Sequence, residues 1–407
     1  MPPLYFDHAA TTPVRPEVRE AMLPFLGDEA FGNPSSAHAF GRKARAALEA
    51  ARERVAAAVG AAPGEVLFTS GGTEADNLAV LGLAEAAAAA RSWGEVHLVT
   101  TPTEHKAVLG ALHEAVRCGA RATLLPVDRD GVVELAALEE ALAGALPGGR
   151  PALVSIMWVN NEIGTVQPVA AAAALCRAAG VPLHSDAVQA LGKVPVDLRA
   201  VPCDVLTVSA HKIGGPKGTG ALVVRGGLGL HPRIHGGSQQ RGTRPGTENV
   251  AGIVGLGVAA ELAAAERPAE SRRLAALRGD LEAALLAAVP DAIVHGRGAE
   301  RGPAIVSVSA PGTDSEAMLM HLDLAGVAAA SGSACMTGGV EPSHVLEAMG
   351  VPRELAVAAV RFSLGALSSP EQVPIAARRF AESAATVRGL RLALAGGPVG
   401  ASAAGPP

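Results

Sequence analysis

Val205-Leu206-Thr207-Val208-Ser209-Ala210-His211-Lys212, running into Gly214-Gly215-Pro216-Lys217-Gly218, sets the frame for the whole chain. A β-branched run of strand length ends in a lysine beside a Gly-rich loop. A lysine so placed can condense with an aldehyde as a Schiff base. On this stretch alone, a solvated surface lysine is the simpler reading. The preceding strand, Val181-Pro182-Leu183-His184-Ser185-Asp186, shifts the balance. Asp186 and Lys212 are separated by about one strand–helix–strand step. Neighbouring parallel strands would deliver both to the carboxyl edge of one sheet, where ligands bind in open α/β folds. Asp186 alone also reads as a turn or cap aspartate. Together the two residues match the needs of a pyridoxal phosphate ring: a carboxylate for its pyridine nitrogen and a lysine for its aldehyde.

Working outward, short apolar runs alternate with Ala-rich helical stretches. Val66–Thr69, Val96–Thr100, Leu153–Trp158 and Gly220–Val224 read as further strands. Glu74–Ala90, Ala107–Cys118 and Ala170–Ala179 read as the helices between them. Strands of this kind are buried on both faces, so the fold class is α/β with a mostly parallel sheet. After about residue 250 the pattern changes. A long helix is predicted from Gly252 to Val289, broken at Pro268. Ile305–Ser309 alternates like a strand of a smaller layer, and helices follow near Asp314–Asp323, His344–Met349 and Glu371–Leu392. This second region reads as α+β.

Three more stretches carry chemistry. Thr69-Ser70-Gly71-Gly72-Thr73-Glu74 follows a strand and opens a helix, so its backbone N–H groups and the Thr73 hydroxyl suit an anion. It lacks the spacing of a nucleotide P-loop, and Thr73 also reads as a plain helix cap. His105 sits at the same sheet edge, as a candidate for ring stacking or proton transfer. Cys335 lies in Ala330-Ser331-Gly332-Ser333-Ala334-Cys335-Met336-Thr337-Gly338-Gly339, a run of small residues that suits a travelling thiol. An incidental loop cysteine is the alternative there, whereas Cys176 reads as an ordinary helix-core position. Gly255-Leu256-Gly257-Val258-Ala259-Ala260 matches a dinucleotide fingerprint but lacks a preceding strand, so it reads as helix.

Composition sets other classes aside. The 407 residues carry 34 Lys+Arg against 39 Asp+Glu, which signals no basic surface for nucleic acid or anionic membrane. Seven Phe, two Trp and one Tyr leave few rings for base stacking, and the core must be built from small aliphatic residues. No leader and no membrane span is visible. Cys118, Cys176, Cys203 and Cys335 are scattered without a CxxC pair, so no metal cage or disulfide framework is expected and a reducing cytoplasm fits.

The stretches above, together with Asp7–Pro13, Phe31–Ser36, Val159–Gly164, Arg244–Asn249 and Val360–Gly365, resemble the NifS/IscS-like cysteine desulfurases, a pyridoxal-phosphate branch of the class V aminotransferases. The resemblance runs in order from about residue 4 to 390. It implies the fold type I of pyridoxal enzymes: a seven-stranded-type, mostly parallel sheet in a large domain over 15–250, and a smaller α+β domain of 1–14 and 251–395 carrying the cysteine loop. A disordered tail is expected over 396–407. It implies Lys212 as the Schiff-base lysine, Asp186 against the pyridine nitrogen, Gln189 on the ring hydroxyl and His105 over the ring face. Gly72, Thr73, Ser209 and His211 would hold the phosphate, with Thr247 reaching in from the second subunit of a homodimer. Asn161 would meet both cofactor and substrate, and Arg361 would orient the substrate carboxylate. Cys335 would take sulfur from L-cysteine as a persulfide, leaving L-alanine, and hand it to an acceptor protein for iron–sulfur clusters or for tRNA or cofactor thiolation.

Selenocysteine lyase or another class V aminotransferase keeps the cofactor and changes the reaction; a mobile cysteine argues against a transaminase. A sulfur-carrier or regulatory dimer with a vestigial site is opposed by the intact Lys212, Asp186 and Cys335. The chain departs from the family at His8, where Asn or Tyr is more usual, and at Met336, where a small hydroxyl residue is usual. The segment before Glu341-Pro342-Ser343 resembles the longer cysteine loop of one subgroup. The tail from Gly396 lacks the extension by which some members dock an iron–sulfur scaffold, which leaves the acceptor open.

Overall fold

The computed structural model describes residues 3–145, 148–332 and 341–395. Its centre is a seven-stranded sheet in the order Val66–Thr69, Gly220–Val224, Val205–Ser209, Leu183–Asp186, Leu153–Ser155, His97–Thr100, Arg121–Leu124. All neighbours run parallel except Gly220–Val224, which is antiparallel to both strands beside it. Five of the strands are buried along their whole length, as helices on both faces require. The edge strand Arg121–Leu124 is mostly exposed, so its polar sequence gave no apolar run to recognise.

Asp186 and Lys212 do follow neighbouring parallel strands, with His184 opposite Val205. The connection between those strands is a chain of turns with no α-helix, unlike the expected strand–helix–strand step. Gly192 takes φ 77°, and Pro195 and Pro202 break any helical run.

A second layer is a three-stranded antiparallel sheet of Ala359–Ser363, Ile305–Ser309 and Ile293–Val294. Phe6, Phe362 and Phe380 form its aromatic core, edge to face. Three of the chain's seven Phe therefore stabilise this small core, while the large sheet is packed mainly with Val, Leu and Ala. Leu4–Tyr5 pairs with Val327–Ala328, which ties the start of the chain to this layer.

The helix Val250–Ala288 runs unbroken for 39 residues, so the break expected at Pro268 is absent. Pro268 is exposed, where solvent can satisfy the carbonyl it leaves unbonded. The Gly255–Ala260 run lies inside this helix, and its glycines serve packing. A Cβ on Gly257 would sit 2.8 Å from the Ala51 backbone of the helix Ala39–Val59. Cys176 and Cys203 are buried and Cys118 is exposed; all three are free thiols. Among the described residues no helix is long and apolar enough to cross a membrane.

Candidate active site

At the carboxyl edge of the large sheet lies a cleft of about 310 Å³. Gly72, Thr73, His105, Asn161 and Asp186 line it, with Gln189, Ser209, His211, Lys212 and Arg361 completing the wall. Ten residues singled out from the sequence thus converge from six separate stretches of chain. Thr247 is exposed on a loop away from this cleft. Cys335 and Met336 lie outside the described residues, as does the 396–407 tail.

Lys212 ends a short 3-10 turn that begins directly after Val205–Ser209. Its Nζ donates to the carbonyls of Ala9 at 2.5 Å and Ala10 at 2.8 Å. Thr12 fastens the same turn: its hydroxyl donates to the His211 carbonyl and accepts from Gly214 N–H, both at 2.9 Å. The Asp7–Pro13 segment is thus a strap across the lysine. Burial, with Arg361 adding, pushes the Lys212 amine down to about 8, against an opposite pull from Asp186 and Asp7. A lysine held there is a far better nucleophile near neutral pH than one in water.

Asp186 is 6% exposed and accepts a 2.8 Å bond from Val188 N–H. Burial raises its carboxyl, and His105, the Val188 N–H and Lys212 oppose that rise. Asp76 and Glu104, also buried, are raised in the same way, and each is further raised by Asp186. His184 lies behind them, its Nε2 3.6 Å from Asp76 and bonded to Thr207, and burial pushes it down to about 3. Burial thus disfavours charge on all three carboxyl groups, and Asp186 is the one whose charged form His105 and Lys212 support.

His105 opens into the cleft and caps the helix Lys106–Arg117, its Nδ1 accepting from Ala107 N–H at 3.2 Å. That bond keeps Nδ1 as the acceptor and leaves Nε2 to carry the proton in the neutral ring. Burial lowers its pKa, with Asp186 pulling the other way. One oxygen or nitrogen from each of Asp76, His105 and Asp186 falls within 4.8 Å of the others, so these three share one electrostatic environment.

The Gly-rich turn opens a helix at the cleft. The helix Gly72–Ala90 starts at Gly72 with Gly71 as its cap, so Thr73 lies in the first turn and is not the cap. Ser209 Oγ is buried without a hydrogen-bond partner and faces the same cleft. A Cβ on Gly72 would approach Val188 to 3.0 Å, so glycine lets the helix end come close. Opposite, Arg361 donates to the Asn161 carbonyl at 2.8 Å and to Asp7 Oδ1 at 2.9 Å. It is 8% exposed, and its Nε has no partner.

A model of the aminotransferase class-V family matches residues 4–375. A curated cysteine desulfurase IscS from Dictyoglomus turgidum is 45% identical over 370 residues, 91% of each chain. The chain belongs to the class V aminotransferases, in their cysteine desulfurase branch. Solved structures agree on the fold. A NifS-like protein superposes with a TM-score of 0.86 at 36% identity, covering 94% of this chain and all of its own. SspA, solved in complex with cysteine, gives 0.75 at 34% identity over 89% of this chain and 98% of its own. Within this desulfurase branch, the structure adds residues that sequence reasoning missed: Asp7 beside Arg361, Asp76 and Glu104 under Asp186, and Lys193 behind Gln189. Asp7, Asp76 and Glu104 lie within motif stretches without having been singled out, and Lys193 carried no signal in the sequence.

Proposed function

We propose that this chain is a pyridoxal-phosphate-dependent cysteine desulfurase that moves the sulfur of L-cysteine onto Cys335. The convergence of Lys212, Asp186 and Arg361 in one cleft carries this reading. The residues present suit the cofactor. An orphaned Ser209 hydroxyl beside a helix N-terminus fits a phosphate, a buried carboxyl at Asp186 fits a pyridine N–H, and a depressed Lys212 amine fits an aldehyde. His105 would lie on the ring face, Gln189 at the ring hydroxyl, and His211 and Thr73 at the phosphate. We assign the cofactor to residues 15–250, and the cysteine loop to the unit of 1–14 with 251–395.

When bound, pyridoxal phosphate supplies an electron sink that makes the substrate Cα–H acidic. Arg361 and Asn161 hold the substrate carboxylate, a task suited to a guanidinium fork. Lys212 Nζ takes the Cα proton. Cys335, as thiolate, attacks the substrate sulfur: the substrate C–S bond breaks as the S–S bond of the persulfide forms. The carbon left behind gains a proton at Cβ, Lys212 Nζ returns the one at Cα, and the product departs as L-alanine. His105 Nε2 is positioned to hold a proton during the thiol steps.

The exposed pair Phe31 and Phe40, ring centroids 5.3 Å apart in a chain poor in aromatics, supports a homodimer face. Thr247 would then complete the partner's phosphate site. A sulfur-acceptor protein in the cytoplasm completes the cycle. The deciding experiment is mass spectrometry of the holoenzyme after L-cysteine. We expect a gain of one sulfur on Cys335. Cys335→Ala should keep the cofactor colour and release no sulfide; full sulfide release from that variant overturns the persulfide route.

A further inference from the structure

Behind the cleft lies a second cavity of about 500 Å³, bounded by the N-terminal strap, the long helix and residues 364–367. Lys193 lines it and reaches forward, its Nζ donating to Gln189 Oε1 at 3.0 Å. Gln189 is 4% exposed, and its Nε2 donates to the Ala9 carbonyl at 2.8 Å. An amide can turn over, exchanging its oxygen and nitrogen, with almost no change of shape. Here both contacts forbid the exchange. An ammonium offers only donors, and a main-chain carbonyl only accepts. Turning Gln189 over would replace two hydrogen bonds with donor facing donor and acceptor facing acceptor. In the orientation observed, the second Nε2 hydrogen remains for the cleft.

We propose that Lys193 is a positioning residue that locks the Gln189 amide so that it presents an N–H to the ring hydroxyl of pyridoxal phosphate. This rests on the cofactor reading above. Its surroundings support the role. Burial, with Lys212 adding, pushes the Lys193 amine down to about 7, and only the protonated form is donor-only, so the lock is strongest below that value. Glu270 and Arg273, which line the same cavity, pair with each other at 2.7 Å. His8, the departure from the family pattern, is 1% exposed and held neutral, pushed down to about 4 by burial. Ala9, which accepts from Gln189, also accepts from Lys212, so the lock and the reactive amine share one carbonyl.

An N–H at the ring oxygen favours negative charge there and lowers the proton affinity of the lysine–cofactor linkage. Two readouts test the lock: the affinity of apoenzyme for pyridoxal phosphate, and the pH midpoint of the visible band. Lys193→Met should weaken cofactor affinity about tenfold, the loss of one charge-assisted bond, and raise the midpoint by about one pH unit. Lys193→Arg, which keeps a donor-only group, should restore both. If Lys193→Met does not fold, Lys193→Gln, which can donate or accept, should show the same shifts at smaller size. Gln189→Leu with Lys193→Met should be no worse than Gln189→Leu alone, because Lys193 acts through Gln189. Additive losses, or Lys193 variants with an unmoved midpoint, overturn the proposal. If Gln189→Leu itself moves neither readout, the ring-hydroxyl contact is wrong and the lock falls with it; that arm separates the two failures.

Discussion

The large sheet and the small three-stranded sheet face the same cleft and contribute to it unequally. The large sheet and its loops bring Gly72, His105, Asp186, Ser209 and Lys212. The small sheet brings Arg361 alone, on the strand Ala359–Ser363. Everything assigned to the cofactor thus stands on one rigid, doubly covered element. Of the two residues assigned to the substrate carboxylate, Asn161 follows a large-sheet strand, and Arg361 comes from another layer, held by Asp7 and the Asn161 carbonyl. Holding and selecting are therefore separable in this fold, and each can be damaged without the other.

The sharpest break is on the large-sheet side. Lys212→Ala should abolish the visible band of the cofactor–lysine linkage and lower desulfuration by about 10³-fold or more, as loss of a proton-transferring nucleophile does. A persistent band with turnover would show that another residue holds the cofactor. On the small-sheet side, Arg361→Ala should leave the band intact and lower kcat/KM for L-cysteine by about 10- to 100-fold, the worth of a charge-assisted fork. Loss of the band in that variant would erase the division between the two layers.

Reconstitution offers a test of intermediate size. Lys212 reacts as the free amine, whose fraction grows as pH rises toward the value near 8 and levels off above it. The rate at which apoenzyme takes up pyridoxal phosphate should therefore rise about tenfold per pH unit below 8 and flatten above. In the apoprotein a depressed lysine also means that the unfolded chain binds the proton more tightly. Its contribution to stability thus rises with pH between about 8 and the ordinary lysine value of about 10.4. The smallest effect is expected at Asp7→Asn, which keeps a hydrogen bond to Arg361 and loses the charge. KM for L-cysteine should rise about threefold with kcat little changed, within the range of a single ion pair.

Much of this architecture was legible in the sequence. Val205–Ser209 and Gly220–Val224 form as read, because a β-branched run between turn residues has few other choices. The edge strand Arg121–Leu124 was not legible, since an exposed strand shows neither a continuous apolar run nor clean alternation. The helix Ala39–Val59 and the strand Ala359–Ser363 likewise emerged only in three dimensions. In the site, motif residues were recoverable because chemistry restricts their type and spacing. Asp76 was not: one turn into a helix, an aspartate reads as solvated surface, and only the fold buries it beside Asp186. Lys193 had no signal either, because its role depends on which way Gln189 faces.

The strap has a consequence for how the molecule assembles. Leu4–Tyr5 pairs with Val327–Ala328, and Asp7 meets Arg361 from the opposite end of the sequence. The last strand of the large sheet, by contrast, is complete at Val224, and both strands it pairs with, Val205–Ser209 and Val66–Thr69, precede it in the chain. Local pairings close quickly and distant ones slowly. During synthesis the lysine-bearing sheet can form while residues 4–7 still wait for partners not yet translated. A segment made early is thus among the last to find its place, and its arrival joins the half that holds to the half that selects.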